Sequence, residues 1–294
     1  MHHELNMSAV DVFKKNNANA INSVIRNMLC QRGCVDFKDF NGCEFDLDYI
    51  TIQKSFDQSI NANANTITKL DVYRQLVLID SLYSTNVKRM RQFGLEEICD
   101  DIWNLCNDGC GNCSLQTLAK QLTVTNNLPA HISQLFTQPY GYIEGKKSLS
   151  APSLLSKYFF FAAARCSQGG WGFPIYDSIV LDLMPKVQRF LDISVTSKKK
   201  MGLSGRGLLD INVYIEGLRS IIDVLECDDP NLWNVNSMTK FEILDYFLWH
   251  IGKAGQKSYS LLLTKNEMLN AYSNGNLNKL PQRVILWEQF YHQL

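Results

Sequence analysis

Neither sign of charge dominates this chain of 294 residues: 29 lysines and arginines stand against 29 aspartates and glutamates. A protein that holds duplex nucleic acid by bulk charge carries a basic excess, so phosphate contacts here would need a local basic face. Long hydrophobic runs are also missing. The most apolar stretch, Tyr158 to Ala164, is far shorter than the ~18 residues that cross a bilayer, so no membrane partner is expected. The opening Met1-His2-His3-Glu4-Leu5 lacks the basic-then-apolar order of a secretory signal, which points to a cytoplasmic protein. Strand-like alternation is confined to a short stretch near 257–263, and no internal repeat is evident. These absences leave an all-α, or nearly all-α, class.

What is present is helical periodicity. Apolar residues at helical spacing predict helices over 8–29, 71–83, 94–105, 114–122, 148–165, 209–226, 237–253, 265–273 and 280–293. Pro152 is tolerated in the first turn of its helix. Asp177 or Ser178 is expected to cap a helix running to about Leu191. The pattern breaks up from Cys30 to Asn65, and two prolines with several turn signals make 124–145 a connector. Nine cysteines are many for such a chain. Without a secretory signal, reduced thiols are the expectation.

Two residues carry a chemical signal. Lys157 lies inside the apolar run Leu154-Leu155-Ser156-Lys157-Tyr158-Phe159-Phe160-Phe161. Apolar surroundings disfavour the charged amine, lower its pKa and make it a usable nucleophile. Asp177 follows at the apparent start of the next helix, where backbone N–H groups stabilise an ionised carboxylate. A carboxylate beside a developing sugar cation is what cleavage of a glycosidic bond requires. Each has a plainer reading: such a lysine commonly snorkels to water, and such an aspartate commonly does no more than cap.

The pairing resembles a known family. Ser156-Lys157, a helix, a loop ending Phe173-Pro174-Ile175-Tyr176-Asp177 and a further helix are similar to the catalytic segment of 8-oxoguanine DNA glycosylases of the helix-hairpin-helix superfamily. Upstream, Leu82-Tyr83-Ser84-Thr85-Asn86 looks like the turn with which relatives enter the space left by a flipped base. With Asp245 to Lys253, these motifs most resemble a bacterial subset found among antiviral defence operons. The resemblance spans roughly 68–253 and implies a two-lobed helical glycosylase-like domain over 67–253, with helical extensions at 1–66 and 254–294. It implies excision of a modified, purine-like base in phage defence. Lys157 would be the nucleophile, with an associated lyase step, and Asp177 would stabilise the sugar cation. Ser84, Thr85, Asn86, Trp171, Phe173 and Tyr176 would contact substrate, and Trp249 is either a further stacking ring or core. The basic loop Lys198, Lys199, Lys200 and Arg206 would meet phosphates. No cofactor is implied.

One departure stands out. The family's glycine-rich hairpin before the lysine is replaced by Ser148 to Leu155, so the close backbone approach to phosphates that glycine permits is not expected there. Some relatives hold an iron–sulfur cluster on four close cysteines after the aspartate. Here Cys99, Cys106, Cys110 and Cys113 precede the lysine and are expected to be free thiols without metal. The partner is DNA or a modified nucleotide, with other proteins of a defence operon. Two alternatives stay open: an enzyme of this fold acting on free nucleotides or a nucleotide signal, and a non-catalytic binding module.

Overall fold

A computed structural model describes residues 9–31, 47–61, 66–82, 94–107, 109, 113–122, 127–142, 148–166, 170–196, 210–234, 238–263, 267 and 280–294. The chain is mostly helical. In order, the helices are α1 (Ala9–Gln31), α2 (Leu47–Asn61), α3 (Lys69–Leu82), α4 (Leu95–Cys106), α5 (Leu115–Leu122), α6 (Ala130–Leu135), α7 (Pro152–Cys166), α8 (Ser178–Phe190), α9 (Ile211–Asp228), α10 (Pro230–Trp233), α11 (Lys240–Gly255) and α12 (Gln282–Gln293). Between α6 and α7 a two-residue antiparallel ladder pairs β1 (Gly141–Tyr142) with β2 (Ser148–Leu149), Gly141 opposite Leu149.

Four expectations need correction. α2 occupies part of the stretch read as broken. The connector 124–145 holds α6 and β1. The helix expected from 148 begins at Pro152, because Ser148 and Leu149 are spent in the ladder. The strand-like stretch near 257–263 is a 3-10 turn at Tyr259–Leu261. The helix expected over 265–273 lies outside the described residues apart from Glu267.

The helices pack in two groups. α2, α3, α4, α5 and α7 contact one another, while α1, α8, α9, α10, α11 and α12 form the other set. One continuous apolar core runs through both. The chain's start is stitched into its second half. The Asn22 amide donates to the Leu225 carbonyl at 2.8 Å and accepts from the Trp233 indole at 3.0 Å. Asn17 donates to the Phe190 carbonyl at 2.6 Å. α7 and α8 are consecutive in sequence but belong to different groups, so the loop joining them carries the chain from one set of helices to the other.

Among the described residues no helix is long and apolar enough to cross a membrane.

Candidate active site

Every residue from Leu154 to Ala163 is buried, so α7 has no wet face over that length. That decides the fate of Lys157. A lysine snorkels only where its stem can reach the surface, and Lys157 is 6% exposed. Burial lowers its pKa from the ordinary lysine value, and the charges of Asp177, Asp245 and Asp80, in that order, pull it back up. α7 itself is held rigidly. The Tyr158 hydroxyl donates to the side-chain oxygen of Gln75 on α3 at 2.8 Å, and the Gln75 amide donates to Ser59 of α2 at 2.9 Å.

The loop from Gly170 to Asp177 runs alongside α11. Its start is tied to the helix by Lys240 and Phe241, whose N–H groups donate to the carbonyls of Gly170 at 3.0 Å and Trp171 at 3.2 Å. Gly172 sits at φ +67° with Thr239 pressed so close that a Cβ would collide with its side chain. Beyond the loop, Ile179 in the first turn of α8 abuts Gly252, again with no room for a Cβ. Asp177 therefore lies beside the middle of α11, where Asp245 is.

Two hydrogen bonds from opposite sides fix the last residues of this loop. Ser156 of α7 accepts from the Tyr176 N–H at 2.8 Å, and the Tyr214 hydroxyl of α9 donates to the Ile175 carbonyl at 2.5 Å. Asp177 then caps α8, its carboxylate accepting from the Ile179 N–H at 2.7 Å. The capping role is real and does not exhaust the residue, since its charge is also the strongest acting on Lys157.

Asp245 was not singled out from sequence as a site residue. Burial raises its carboxyl to about 8, the charges of Asp177 and Glu242 push the same way, and Lys157 opposes them. Asp80, 5% exposed near the end of α3, was also missed. The signal was available for both: a lone acid within an apolar stretch is the mirror of a lone lysine within one. Which helix faces which could not be read from spacing. Four elements thus bring one amine and three carboxyls together, and their environments drive the protonation of Lys157 and Asp245 in opposite senses from their ordinary values.

The remaining expected site residues separate. Phe173 is 1% exposed, with its ring centroid 5.4 Å from that of Phe159 and 6.1 Å from that of Phe136. Tyr176 is buried too, against Tyr214 at 5.0 Å. Both rings, expected to be offered to a base, are packed in the core beside the loop that ends in Asp177. Trp171 is half-buried, with Arg219 and Lys240 over its ring at 5.0 and 4.8 Å. Trp249 is half-buried against His250, while Ile243, Phe247, Leu248 and Ile251 form the interior stripe of α11. Ser84, Thr85, Asn86, Lys198, Lys199, Lys200 and Arg206 lie outside the described residues. Cys99, Cys106 and Cys113 are buried, and burial pushes the Cys99 thiol up to about 11; Cys110 is outside the described residues.

The chain matches no protein-family model, no curated protein and no solved structure.

Proposed function

We propose that this protein is an N-glycosylase that excises a modified, purine-like base from DNA through an amine nucleophile. The observation that supports it most is the buried Lys157, its amine disfavoured as a cation and ringed by carboxyls from three other elements. In this reading the neutral amine attacks C1′ of the sugar as the bond to the base breaks. Asp177, held by its cap and by the flanking bonds of Ser156 and Tyr214, stabilises the positive charge that develops on the sugar. Opening of the sugar ring gives an imine between Lys157 and C1′, from which a strand break by β-elimination can follow. The resemblance of the Lys157 and Asp177 segments to 8-oxoguanine DNA glycosylases supports the same reading, and their similarity to the defence-operon subset supports a role against phage.

A second reading, an enzyme of this kind acting on a free nucleotide, is favoured by the balance of 29 basic and 29 acidic residues. A small substrate needs no extended basic surface.

Borohydride tests the chemistry. Abasic-site DNA already presents the C1′ aldehyde, so incubation with the reductant should leave a covalent protein–DNA adduct. Lys157→Gln should abolish the adduct, and Asp177→Asn should slow its formation by roughly two orders of magnitude, a few kcal/mol of barrier. An adduct that survives Lys157→Gln sinks the assignment.

A further inference from the structure

We infer that Asp245 is the proton donor of this site: it protonates the group that departs from C1′ and recovers a proton from Lys157. The inference rests on the amine-nucleophile reading and adds to it the acid that reading lacks, because Asp177 is engaged as a carboxylate by the N–H of Ile179.

Placement comes first. The loop before Asp177 is tied to α11 at one end by the bonds to Lys240 and Phe241, and α8 is pressed onto α11 at Gly252 just beyond it. Asp245 lies between these two anchor points on α11. The titratable groups facing it are Lys157 from α7, Asp177 at the head of α8, Tyr214 from α9 and Glu242 on its own helix. α12 packs elsewhere on α11, presenting Trp287 to His250 and Phe290 to Phe247. Glu242 is turned to the helix start, where its carboxylate accepts from the Thr239 N–H at 2.6 Å. Of the two acidic groups closest to the amine in effect, Asp177 is engaged by the Ile179 N–H, while burial raises the carboxyl of Asp245 to about 8 and favours its protonated form. Two carboxyls in such different surroundings can divide the roles of acid and charge stabiliser.

The step balances. The Lys157 lone pair forms the bond to C1′, and the electron pair of the breaking C1′–N bond goes to the base nitrogen. That nitrogen takes the Asp245 proton, so the base leaves uncharged. The ammonium formed on Nζ gives a proton to the Asp245 carboxylate and restores the acid. With an aldehyde in place of the glycoside, Nζ adds to the carbonyl. The hydroxyl of the adduct then takes the Asp245 proton and leaves as water, and the iminium remains.

The test follows the rate of borohydride trapping against pH, with abasic-site DNA and, separately, 2-deoxyribose 5-phosphate as probes. For the intact protein the rate should rise as Lys157 loses its proton, and the ionisation of Asp245 at about 8 should break that rise and turn it to a fall at higher pH. Asp245→Asn should slow trapping on the order of 10²-fold at pH 7, as loss of a general acid does, and should remove the alkaline fall. The pH 7 comparison is the decisive one. There the raised pKa favours the protonated native carboxyl, so asparagine is close to it in charge and shape and lacks the acidic proton. Trapping at pH 7 unchanged by Asp245→Asn overturns the inference. So does an intact protein whose rate keeps climbing from pH 8 to 10, a result that needs no variant to fold. No adduct from the intact protein with either probe at any pH overturns the amine-nucleophile reading itself, and this inference with it.

Discussion

Ser156 and Lys157 are neighbours on α7 with opposite tasks. In the proposed reaction the lysine is the nucleophile, and the serine keeps the loop to Asp177 in register. Because the Ser156 hydroxyl accepts from the Tyr176 N–H, the backbone leading to Asp177 is anchored to the residue next to the amine. Tyr214 supplies the matching anchor on the other side through the Ile175 carbonyl. Removing either partner strands a buried backbone group, which costs about 1–3 kcal/mol. Ser156→Ala and Tyr214→Phe should each lower unfolding free energy by about that amount in urea titration. Both should also slow borohydride trapping, since Asp177 loses one of its two fixed flanks. Normal trapping in both variants would mean that α8 alone holds the carboxylate in place.

Close approach of helices is what assembles the site, and Gly252 is where it is tightest. A methyl group there would strike Ile179, whose branched side chain has little rotamer freedom in a helix. Gly252→Ala should therefore destabilise the fold by about 1–3 kcal/mol in urea titration, the usual cost of overpacking, as α8 is pushed off α11. Stability unchanged by the alanine would show that the two helices can separate freely. The same dependence on packing explains what was legible in the sequence. α8 and its Asp177 cap could be read because capping is local, fixed by residues one or two apart. Lys157 could be found because the helix around it is apolar throughout. α2 was lost because, among its described side chains, Ile52 and Phe56 are the buried apolar ones, and contact with α3 and α7 is what gives them a role. Asp80 and Asp245 carried the same local signal as Lys157 but acquire their meaning from the packing of α3 on α7 and of α8 on α11. The burial of Phe173 and Tyr176 was not legible for the converse reason: closeness in sequence to Asp177 does not reveal which way a ring points.

Across the whole molecule, the amine lies in the α2–α5 and α7 group while Asp177 and Asp245 belong to the α1 and α8–α12 group, and a continuous core joins the two. Anything that fixes these groups together also fixes the site. Within the second group, α1 is tied to α8 and α9 through Asn17, Asn22 and the Arg26–Asp229 ion pair, and α12 braces α11, so both steady the frame that carries Asp177 and Asp245. The core also excludes the water that would otherwise stabilise an ammonium, so the low lysine pKa is a property of the assembled fold and not of α7 alone. The central claim is that Lys157 loses its proton more readily than an ordinary lysine. A titration of the lysine 13Cε resonances by NMR, with Lys157→Gln identifying the signal, measures this without any substrate. The account predicts that the Lys157 resonance titrates below the usual 10.5. A Lys157 signal titrating at or above that value would contradict it, because the buried carboxyls would then be holding a permanent cation in a structural ion pair.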